Sequence, residues 1–435
     1  MRKELWSSGE PMGKGAGVPG HSAPIPAARA GQRPPLGERE LLWMMAMLMA
    51  LNAFGIDAIL PALDALAGDL GVAGNARQFV IGVYLLTGGI GSLVPGALAD
   101  RFGRRPILLG AVAIYVALSA ASALAPSYDV LIALRAAQGF FAAAIIALPP
   151  AIIRDRVGGD RMARMMSLIF VIFLMVPAIA PSIGEAILQL GSWRAIFAAM
   201  ALLGIAVGLW VHLRLPESLA AAHRQPIRPG AIAANMLRAL STPSVTGYVL
   251  GSALVFGALF GFINSAQQLI THTFGAGPIF PLVFAACAGS MALASWPNSR
   301  IVERFGARRV SHTALFAFIA VSSAQVIFAF QPQEALWQFA PLMAINMALL
   351  GFIGSNFGAI AMTPFFAIAG AASSAHGFVR MTMAALLGGA IGYAYDGTAR
   401  PLALALLASG LACLVLVLWS EKGRLFGPSD AELVR

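Results

Sequence analysis

Apolar runs recur along this chain at lengths that match the thickness of a lipid bilayer. A membrane-spanning helix needs about 20 apolar residues, and we identify twelve such runs from residue 41 onward. They cover approximately 41–63, 78–98, 107–125, 129–153, 165–188, 193–213, 244–270, 279–298, 310–330, 335–362, 371–394 and 399–419. Strands of a membrane barrel would be about 10 residues long with alternating polarity. The runs therefore predict an all-α integral membrane protein with twelve transmembrane helices.

The composition excludes the soluble alternatives. Only 11% of the 435 residues are charged, against about 25% in soluble domains. The mean hydropathy is +0.79, so a water-soluble fold would lack the charges to cover its apolar surface. An ordinary soluble enzyme, a coiled coil and a disordered chain are excluded by the same figures.

The basic residues are distributed unevenly, and their positions predict the topology. If the N-terminus is cytoplasmic, the cytoplasmic segments hold 24 of the 29 Lys and Arg residues, and the outer loops hold three: Arg77, Arg194 and Arg400. The positive-inside rule then places both termini in the cytoplasm, in a multi-pass protein of the inner (plasma) membrane. Because this topology explains the net charge of +10, we expect the lipid bilayer as a partner and no nucleic acid.

The chain is predicted to consist of two related halves. The boundaries are a disordered cytoplasmic tail (1–40), a six-helix bundle (41–213), a cytoplasmic linker (214–243), a second six-helix bundle (244–419) and a C-terminal tail (420–435). The segment GALADRFGRR at 96–105 matches SRIVERFGAR at 299–308 with an offset of 203 residues. A repeat of six spans in one orientation is typical of transporters whose site lies between the halves near the midplane.

Several of these segments match a known family. GALADRFGRRP (96–106) resembles the G-x-L-A-D-R-x-G-R-R signature of the major facilitator superfamily, and RAAQG (135–139) resembles its fourth-helix motif. The fifth helix resembles the Pro/Gly-rich antiporter motif, although Glu185 stands where that motif has a small or neutral residue. GIDAILPAL (55–63) and AGAASSAHGF (369–378) resemble segments of the Bcr/CflA drug-resistance branch.

The resemblance implies a fold, an energy source and a class of substrate. Members of the family export small organic molecules by alternating access, driven by the proton gradient, and they move antibiotics, dyes, sulfonamides and metabolites such as amino acids. The chain has no P-loop with the required spacing, which favours a secondary transporter over an ATP-driven one. We expect a small-molecule substrate and protons as partners, no cofactor, and a monomer.

Ionisable residues inside the spans are candidates for proton coupling, because such residues normally face a cavity or a partner. Asp57 and Arg135 each lie about 9 Å below the outer end of their helix at 1.5 Å per residue, and we predict that they pair. Asp57 would carry the proton and Arg135 would oppose its protonation. A static structural pair is the alternative. Glu185, near the outer end of the fifth span, is an alternative proton carrier or an interfacial residue.

The loop between the second and third spans is predicted to take part in gating. Gly103 permits a tight turn between two helix ends, and the neighbouring arginines can bind helix carbonyls and lipid headgroups. By resemblance, Asp100 helps to lock the inner ends of the halves, and we predict Arg380 as its partner, with snorkelling to lipid as the alternative. The predicted gating residues are Gly96, Asp100, Arg101, Gly103, Arg104 and Arg380.

Polar residues in the spans are candidates for the substrate cavity. Asn264, Gln267 and Gln268 share one helix face, which predicts a water-filled cavity or, alternatively, hydrogen bonds between helices. Further candidates are Asn52, Tyr84, Gln138, Asn346 and Asn356. Proline bends helices, so a hinge is predicted in the fifth span at Pro177, Pro181 and Gly184.

Three functions remain open at this stage. A proton-coupled multidrug exporter is favoured by the motifs and by Asp57. A metabolite or amino-acid exporter, importer or facilitator on the same fold is the first alternative. A membrane-embedded enzyme or sensor would need a catalytic constellation, and none is visible in the sequence: the six His are scattered, no metal site is predicted, and Cys287 and Cys413 lie in apolar runs.

Overall fold

The computed structural model describes residues 36–426 except 158, 221–223 and 225–227. These residues form helices and no strands. Most of the predicted N-terminal tail and residues 427–435 lie outside the described part. The predicted tail reaches residue 40, whereas the first helix already begins at Glu38, so that boundary is three residues late.

The first half contains eight α-helices and two short 3₁₀ segments. The helices are α1 (Glu38–Asp57), α2 (Leu63–Asp69), α3 (Phe79–Gly91), α4 (Pro95–Phe102), α5 (Arg104–Ala123), α6 (Tyr128–Arg156), α7 (Gly159–Leu190) and α8 (Trp193–Arg214). The 3₁₀ segments are Leu60–Ala62 and Gly74–Gln78. The first span is therefore a helix that breaks after Asp57 and resumes at Leu63.

A linker helix and six longer helices follow. They are α9 (Pro229–Ser241), α10 (Pro243–Gln268), α11 (Phe280–Phe305), α12 (Ala307–Ala329), α13 (Leu336–Met362), α14 (Ala369–Tyr393) and α15 (Arg400–Ser420). A single π-helical turn, Leu269–Thr273, continues α10, and 3₁₀ segments Gly277–Ile279 and Thr363–Ile368 precede α11 and α14.

All twelve predicted spans fall on helices, and they differ in how apolar they are. Within the described residues, ten helices are long and apolar enough to cross a membrane. The pair Gly74–Gly91 and Pro95–Phe102, bent by 48°, makes an eleventh if it is one span. The twelfth is α14, a 25-residue helix. Its sequence carries Ser374, His376 and Arg380, and these polar residues lower its hydropathy.

The two halves are related in conformation as well as in sequence. Gly103 ends α4 with φ 106° and ψ 153°, and Gly306 ends α11 with φ 80° and ψ 153°. Only glycine adopts such positive φ values readily. The two segments that match at an offset of 203 residues therefore make the same turn, which confirms the predicted pseudo-repeat.

Two pairs of helices carry most of the packing between the halves. Within the first half α3 packs on α6 and α5 on α8, and within the second half α10 packs on α14 and α15. Between the halves, α3 packs along α14 and α7 packs along α11. The second and eleventh spans and the fifth and eighth spans thus form the two seams of the molecule.

The segment predicted as a cytoplasmic linker contains a helix, α9. Ala239 of α9 is buried against Val245, Phe365, Ala372 and Ala375, so α9 is fixed to the start of α14. Apolar residues that recur every three to four positions give such a helix one face to bury. The linker is therefore attached to one of the helices that form a seam.

Glu334 lies in the turn between α12 and α13, outside the spans. Burial raises the pKa of its carboxyl above the usual range, to about 7. The folded protein therefore binds the proton of Glu334 more tightly than the unfolded chain does. The stability that this proton contributes to the folded state is present at low pH and is lost as the pH rises through 7.

We expect Glu334→Gln to raise the melting temperature at pH 8 and to leave it nearly unchanged at pH 5. Thermal unfolding of the purified protein at both pH values measures this. An equal shift at pH 5 and pH 8 would show that the effect is not due to titration of Glu334.

Candidate functional site

Arg135 lies at the centre of a buried polar network in the first half. Its side chain is fully buried and donates to three oxygens on three helices: Gln138 Oε1 at 2.7 Å, Val80 O at 3.1 Å and Gly55 O at 3.0 Å. Such a planar guanidinium can join several acceptors at fixed angles. Arg135 thereby ties α6 to α3 and α1.

The network continues through aromatic and amide side chains. The guanidinium carbon lies 4.2 Å from the centre of the Tyr84 ring, which is a cation–π distance. Tyr84 donates to Asn52 Oδ1 at 2.7 Å, and Gln138 donates to Ser119 Oγ at 2.7 Å. Asn52, Tyr84 and Gln138 are all buried and hydrogen-bonded to one another or to neighbours. In this structure they form the polar core of the first bundle, and their part in a substrate cavity stays a prediction.

Asp57 is the last residue of α1, directly before the break in the first span. Its side chain is only 3% exposed, and its Oδ1 atom has no hydrogen-bond partner within the described residues. The chain then passes through Leu60–Ala62, where Pro61 cannot donate a backbone hydrogen bond. Asp57 is thus a buried carboxyl group beside a break in the helix.

The predicted ion pair between Asp57 and Arg135 is not formed. The guanidinium meets the first span at Gly55 O, two residues before Asp57, and its donors are taken by uncharged oxygens. Sequence spacing placed both residues at a similar depth, but it could not show which atoms of the first span the guanidinium reaches. The two residues are neighbours in the fold without direct contact.

The fifth span packs against the break in the first. A Cβ atom at Gly184 would overlap the backbone of Ala58, so only glycine allows α7 to approach so closely beside Asp57. Glu185 is partly exposed and accepts from Gln189 Nε2 at 3.2 Å. Pro177 and Pro181 lie inside α7, which is assigned as one helix through both. The role of this segment as a hinge stays a prediction.

The side of the bundle that is poor in basic residues is closed by contacts between the halves. Asp64, near the start of α2, accepts from Arg77 of its own half and from Gln267 Nε2 of the other half. His272 Nε2 lies 3.0 Å from Asp64 Oδ2. One carboxylate therefore joins the end of α10 and the π turn that continues it to the first half.

A second set of hydrogen bonds lies beside Asp64 on the same side. Asn75 donates to the carbonyl oxygens of Tyr393 and Tyr395, both at 2.8 Å. Gln268 Nε2 donates to Asn75 Oδ1 at 2.9 Å. Together with the contacts of Asp64, these bonds connect the ends of the first two spans to those of the seventh and eleventh.

The amides predicted to face a cavity in the seventh span are buried instead. Gln267 and Gln268 are at most 4% exposed and join the two halves. Asn264 is fully buried, and neither its Nδ2 nor its Oδ1 atom has a partner within the described residues. In this conformation the face lies in the closed contact between the halves, and its part in a water-filled cavity stays a prediction.

Two further amides predicted for the cavity serve packing within the second half. Asn346 donates to Gln325 Oε1 at 2.8 Å, and Asn356 donates to Asn298 Oδ1 at 2.9 Å. Both are buried and both bonds connect neighbouring helices, as is common for amides in membrane helices. In this structure both amides therefore connect neighbouring helices, and a part in the substrate cavity stays a prediction.

The side that is rich in basic residues carries the predicted gating loop. Arg104 binds Asp100 at 2.6 Å and Asp155 at 3.1 Å. Glu217, in the linker, accepts from the backbone N–H groups of Arg104 and Arg105 at 2.9 and 3.2 Å. A carboxylate at the N-terminus of α5 satisfies donors that have no partner within the helix. The linker therefore caps this loop.

The predicted pair between Arg380 and Asp100 is not formed. The Arg380 guanidinium lies 4.7 Å from the centre of the Phe256 ring, whereas Asp100 binds Arg104. Arg101 likewise lies over its neighbour Phe102. Gly96 faces Ser374 of α14 at ordinary contact distance, so this glycine does lie at a seam. Arg104, which lies close to Asp100 in the same loop, therefore binds Asp100 in place of Arg380.

We expect Gly103→Ala to destabilise the loop. The residue has φ 106°, and a Cβ atom there would overlap Glu217 Oε2, so both the backbone and the linker cap would be strained. A cost of about 1–3 kcal/mol is expected from the positive φ alone, because this region of backbone conformation is essentially restricted to glycine. The control is Gly110→Ala in α5, where an added Cβ meets nothing within 4 Å.

Thermal unfolding of both variants in detergent measures this difference. Gly103→Ala should melt several degrees below the parent, and Gly110→Ala should not. If the two variants melt at the same temperature, the positive φ at Gly103 is not a constraint on folding.

The sequence of the chain also matches a model of a known protein family. The model described as Major Facilitator Superfamily matches residues 45–393, which is most of the chain. The chain belongs to the major facilitator superfamily. It is accordingly a multi-pass membrane transporter, built from the two pseudo-repeats of six spans that are characteristic of the family.

Known relatives match between two thirds and nearly nine tenths of the chain. The chain is 31% identical over 374 residues to the bicyclomycin resistance protein homolog of Haemophilus influenzae, covering 86% of this chain and 92% of that protein. It is 32% identical over 288 residues to an uncharacterized MFS-type transporter, YdgK, of Bacillus subtilis, covering 66% and 70%. The multidrug resistance protein MdtL of Escherichia coli is 27% identical over 384 residues, covering 87% and 94%.

A solved structure supports the fold of this facilitator. A bacterial homolog of the human lysosomal transporter Spinster, solved in an inward-facing and unoccupied conformation, superposes with a TM-score of 0.67. It covers 90% of this chain and 99% of that one at 14% sequence identity. At this identity the likeness shows the fold alone.

Sequence reasoning missed the residues that close the charge-poor side. Asp64, Asn75, Arg77 and His272 lie at helix ends and in short connections, where apolar periodicity carries no signal. The repeat offset was a usable signal, because adding 203 to Asp64 leads to Gln267. Among the described residues, no group of three His, Cys, Asp or Glu side chains could hold a metal ion.

Proposed function

We propose that this transporter exports small organic compounds from the cytoplasm in exchange for protons, by alternating access. The relatives whose names refer to bicyclomycin resistance and multidrug resistance support drug-like substrates. The positive-inside distribution supports cytoplasmic termini in the inner membrane. In this orientation the charge-poor side is the outer side. We expect the protein to act as a monomer without a cofactor, driven by the proton gradient.

The observation that carries the proposal is the position of Asp57. It is a buried carboxyl group with an unpartnered oxygen, next to the break of the first span and to the close approach of α7 at Gly184. An ionisable group at such a depth normally serves a relay or a substrate. The Arg135 guanidinium, hydrogen-bonded to Gly55 O, stabilises the same stretch of helix and contributes positive charge nearby. Protonation of Asp57 would remove its negative charge and would therefore weaken its electrostatic attraction to the Arg135 guanidinium.

The closed outer contacts fit one state of an alternating-access cycle. Asp64 and Asn75 join the halves on the outer side, whereas Arg380 on the inner side lies exposed over Phe256. Binding of substrate from the cytoplasm, release of the Asp57 proton and opening of the outer side would then follow one another. A ligand shifts such an equilibrium only through its different affinity for the two states.

Transport by purified protein in liposomes tests the proposal. Vesicles with an imposed pH gradient are offered a panel of dyes, antibiotics and amino acids, and uptake of each compound is followed with and without the gradient. We expect accumulation of at least one drug-like cation or neutral compound, which stops when an ionophore collapses the gradient. Accumulation that is indifferent to the gradient would contradict proton exchange. Movement of amino acids alone would favour a metabolite transporter.

A further inference from the structure

The repeat offset links two residues that touch each other. Gly103 and Gly306 fix the offset at 203 residues and make the same turn. The same offset takes Asp64 to Gln267, and Gln267 Nε2 donates to Asp64 Oδ2. Equivalent residues of two symmetry-related units meet each other only near the axis that relates them. Asp64 and Gln267 therefore lie near the pseudo-two-fold axis, on the outer side.

The two repeats carry different chemistry at this position. Asp64 can accept, and the Gln267 amide can donate, so the pair forms a hydrogen bond that two carboxylates could not form when both are ionised. Asp64 also binds Arg77 in its own half and His272 in the other half. Its side chain is 33% exposed, so the carboxylate keeps contact with water on the outer side.

The backbone on both sides of this pair is irregular. The first span breaks between Asp57 and Leu63, six residues or fewer before Asp64. The seventh span changes to a π-helical turn at Leu269–Thr273, directly after Gln267 and Gln268, with Phe274 N bonded to Leu269 O at 3.0 Å. Single π turns of this kind are frequent at functional sites. The regular α-helical hydrogen bonding of both spans is therefore interrupted close to this pair.

The closed state buries polar groups that have no partners. Neither amide atom of Gln78 nor of Asn264 has a hydrogen-bond partner within the described residues, and both side chains are at most 1% exposed. A Cβ atom at Gly392 would lie 3.0 Å from Asn264 Cβ and 3.3 Å from Gln78 Cγ, so the two amides flank one point of the α3–α14 seam. Burial without partners costs free energy, and opening of the outer side would hydrate both amides.

We propose that Asp64 and Gln267 are the positioning residues that hold the outer side closed, and that the acid–amide asymmetry of the repeat is what makes this contact possible. The inference rests on alternating access in the proposed function. It adds that one pair on the pseudo-two-fold axis, together with Arg77 and His272, opposes the opening that the unpartnered amides favour.

Labelling of a buried cysteine from the outer side tests this directly. The two native cysteines are free and buried and are replaced by Ala, and Gln78→Cys supplies the reporter. A membrane-impermeant maleimide then labels the thiol in cells or right-side-out vesicles when the outer side opens. Gln267→Glu is expected to raise the labelling rate at pH 8 on the order of tenfold, which corresponds to about 1.4 kcal/mol of repulsion.

The pH dependence of Gln267→Glu distinguishes repulsion between its carboxylate and that of Asp64 from a general loss of packing at this contact. At pH 5 a proton shared by the two carboxylates restores a hydrogen bond. Because only the thiolate reacts with maleimide, variant and parent are compared at the same pH, and the ratio of their labelling rates should return toward one at pH 5. Arg77 and His272 also face Asp64, so the contribution of His272 has to be separated from that of the two carboxylates. The series is therefore repeated with His272→Asn, in which the reversal with pH should persist if the two carboxylates cause it.

A matched control is available a few residues away. Asp69 accepts from Trp193 Nε1 at 3.0 Å and from Arg194, both in its own half. Asp64→Asn is expected to increase labelling at pH 8, whereas Asp69→Asn should leave the rate at the parent value. Equal rates for the parent, Gln267→Glu and Asp64→Asn would overturn the proposal. So would an equal increase in Asp69→Asn.

The labelling assay needs neither substrate nor a proton gradient. A lack of proton exchange in liposomes would therefore contradict the proposed function and leave the labelling result intact. Conversely, proton-coupled transport with unchanged labelling would contradict the role of the Asp64–Gln267 pair alone.

Discussion

Replacing Asp57 with Asn is expected to abolish proton-coupled transport while the protein still folds. The side chain is 3% exposed, and its Oδ1 atom has no hydrogen-bond partner in the described part of the chain. The substitution removes the titratable group and keeps its volume, so packing around the break of the first span should survive. The ratio of substrate concentrations that the proton gradient maintains across the membrane should fall at least about 100-fold. This corresponds to a loss of about 2.7 kcal/mol of free energy available for accumulation.

The comparison that isolates the proton uses two assays. Asp57→Asn should still exchange labelled substrate across the membrane without a gradient, and it should melt within a few degrees of the parent. Asp129→Asn, an exposed acid in the first turn of α6, is the control for loss of a charge. If Asp57→Asn accumulates substrate like the parent, Glu185 becomes the next carboxyl to test, and the role assigned to Asp57 is wrong.

Replacing Arg135 with Leu is expected to have the largest effect on stability. The guanidinium is fully buried and donates to Val80 O, Gly55 O and Gln138 Oε1. Leucine leaves these acceptors without their donor inside the bundle, at about 1–3 kcal/mol for each group that stays unsatisfied. Native proteins are stable by only about 5–15 kcal/mol, so we expect little folded protein.

Arg135→Lys separates the charge from the geometry. Lysine keeps the positive charge but cannot hold three acceptors in the fixed fork of a guanidinium, so the variant should fold, melt lower and transport more slowly. Arg161→Leu removes an arginine whose side chain is 79% exposed, and this variant should keep the melting temperature and the transport rate of the parent. Size-exclusion profiles, melting temperature and transport rate measure the series. An Arg135→Leu protein with parental stability would contradict the proposed role of the network.

The fold was largely predictable because its signals are local. Twelve apolar runs, the distribution of basic residues and the repeat at Gly103 and Gly306 depend only on residue type and spacing. The boundary at residue 40 and the missed helix α9 show the limits of this reading. A short amphipathic helix such as α9 gains its stability from burying Ala239 against α14, and that contact is not visible in the linker sequence.

The site was predictable in its residue types and less so in its contacts. Asp57 and Arg135 are buried as expected, yet the guanidinium binds Gly55 O, because atomic reach depends on how the helices rotate and tilt. Gln267 and Gln268 share a face as predicted, but that face meets the other half. Helical periodicity identifies a polar face; it does not say whether water or another helix covers it.

The most direct test of the account is whether substrate binding releases a proton from Asp57. Purified protein in weakly buffered detergent solution is mixed with a transported compound, and the pH is recorded with an indicator dye. We predict that the parent releases a proton when substrate binds and that Asp57→Asn binds the same compound without releasing one. Equal proton release by the parent and Asp57→Asn would contradict the assignment of the coupled proton to Asp57.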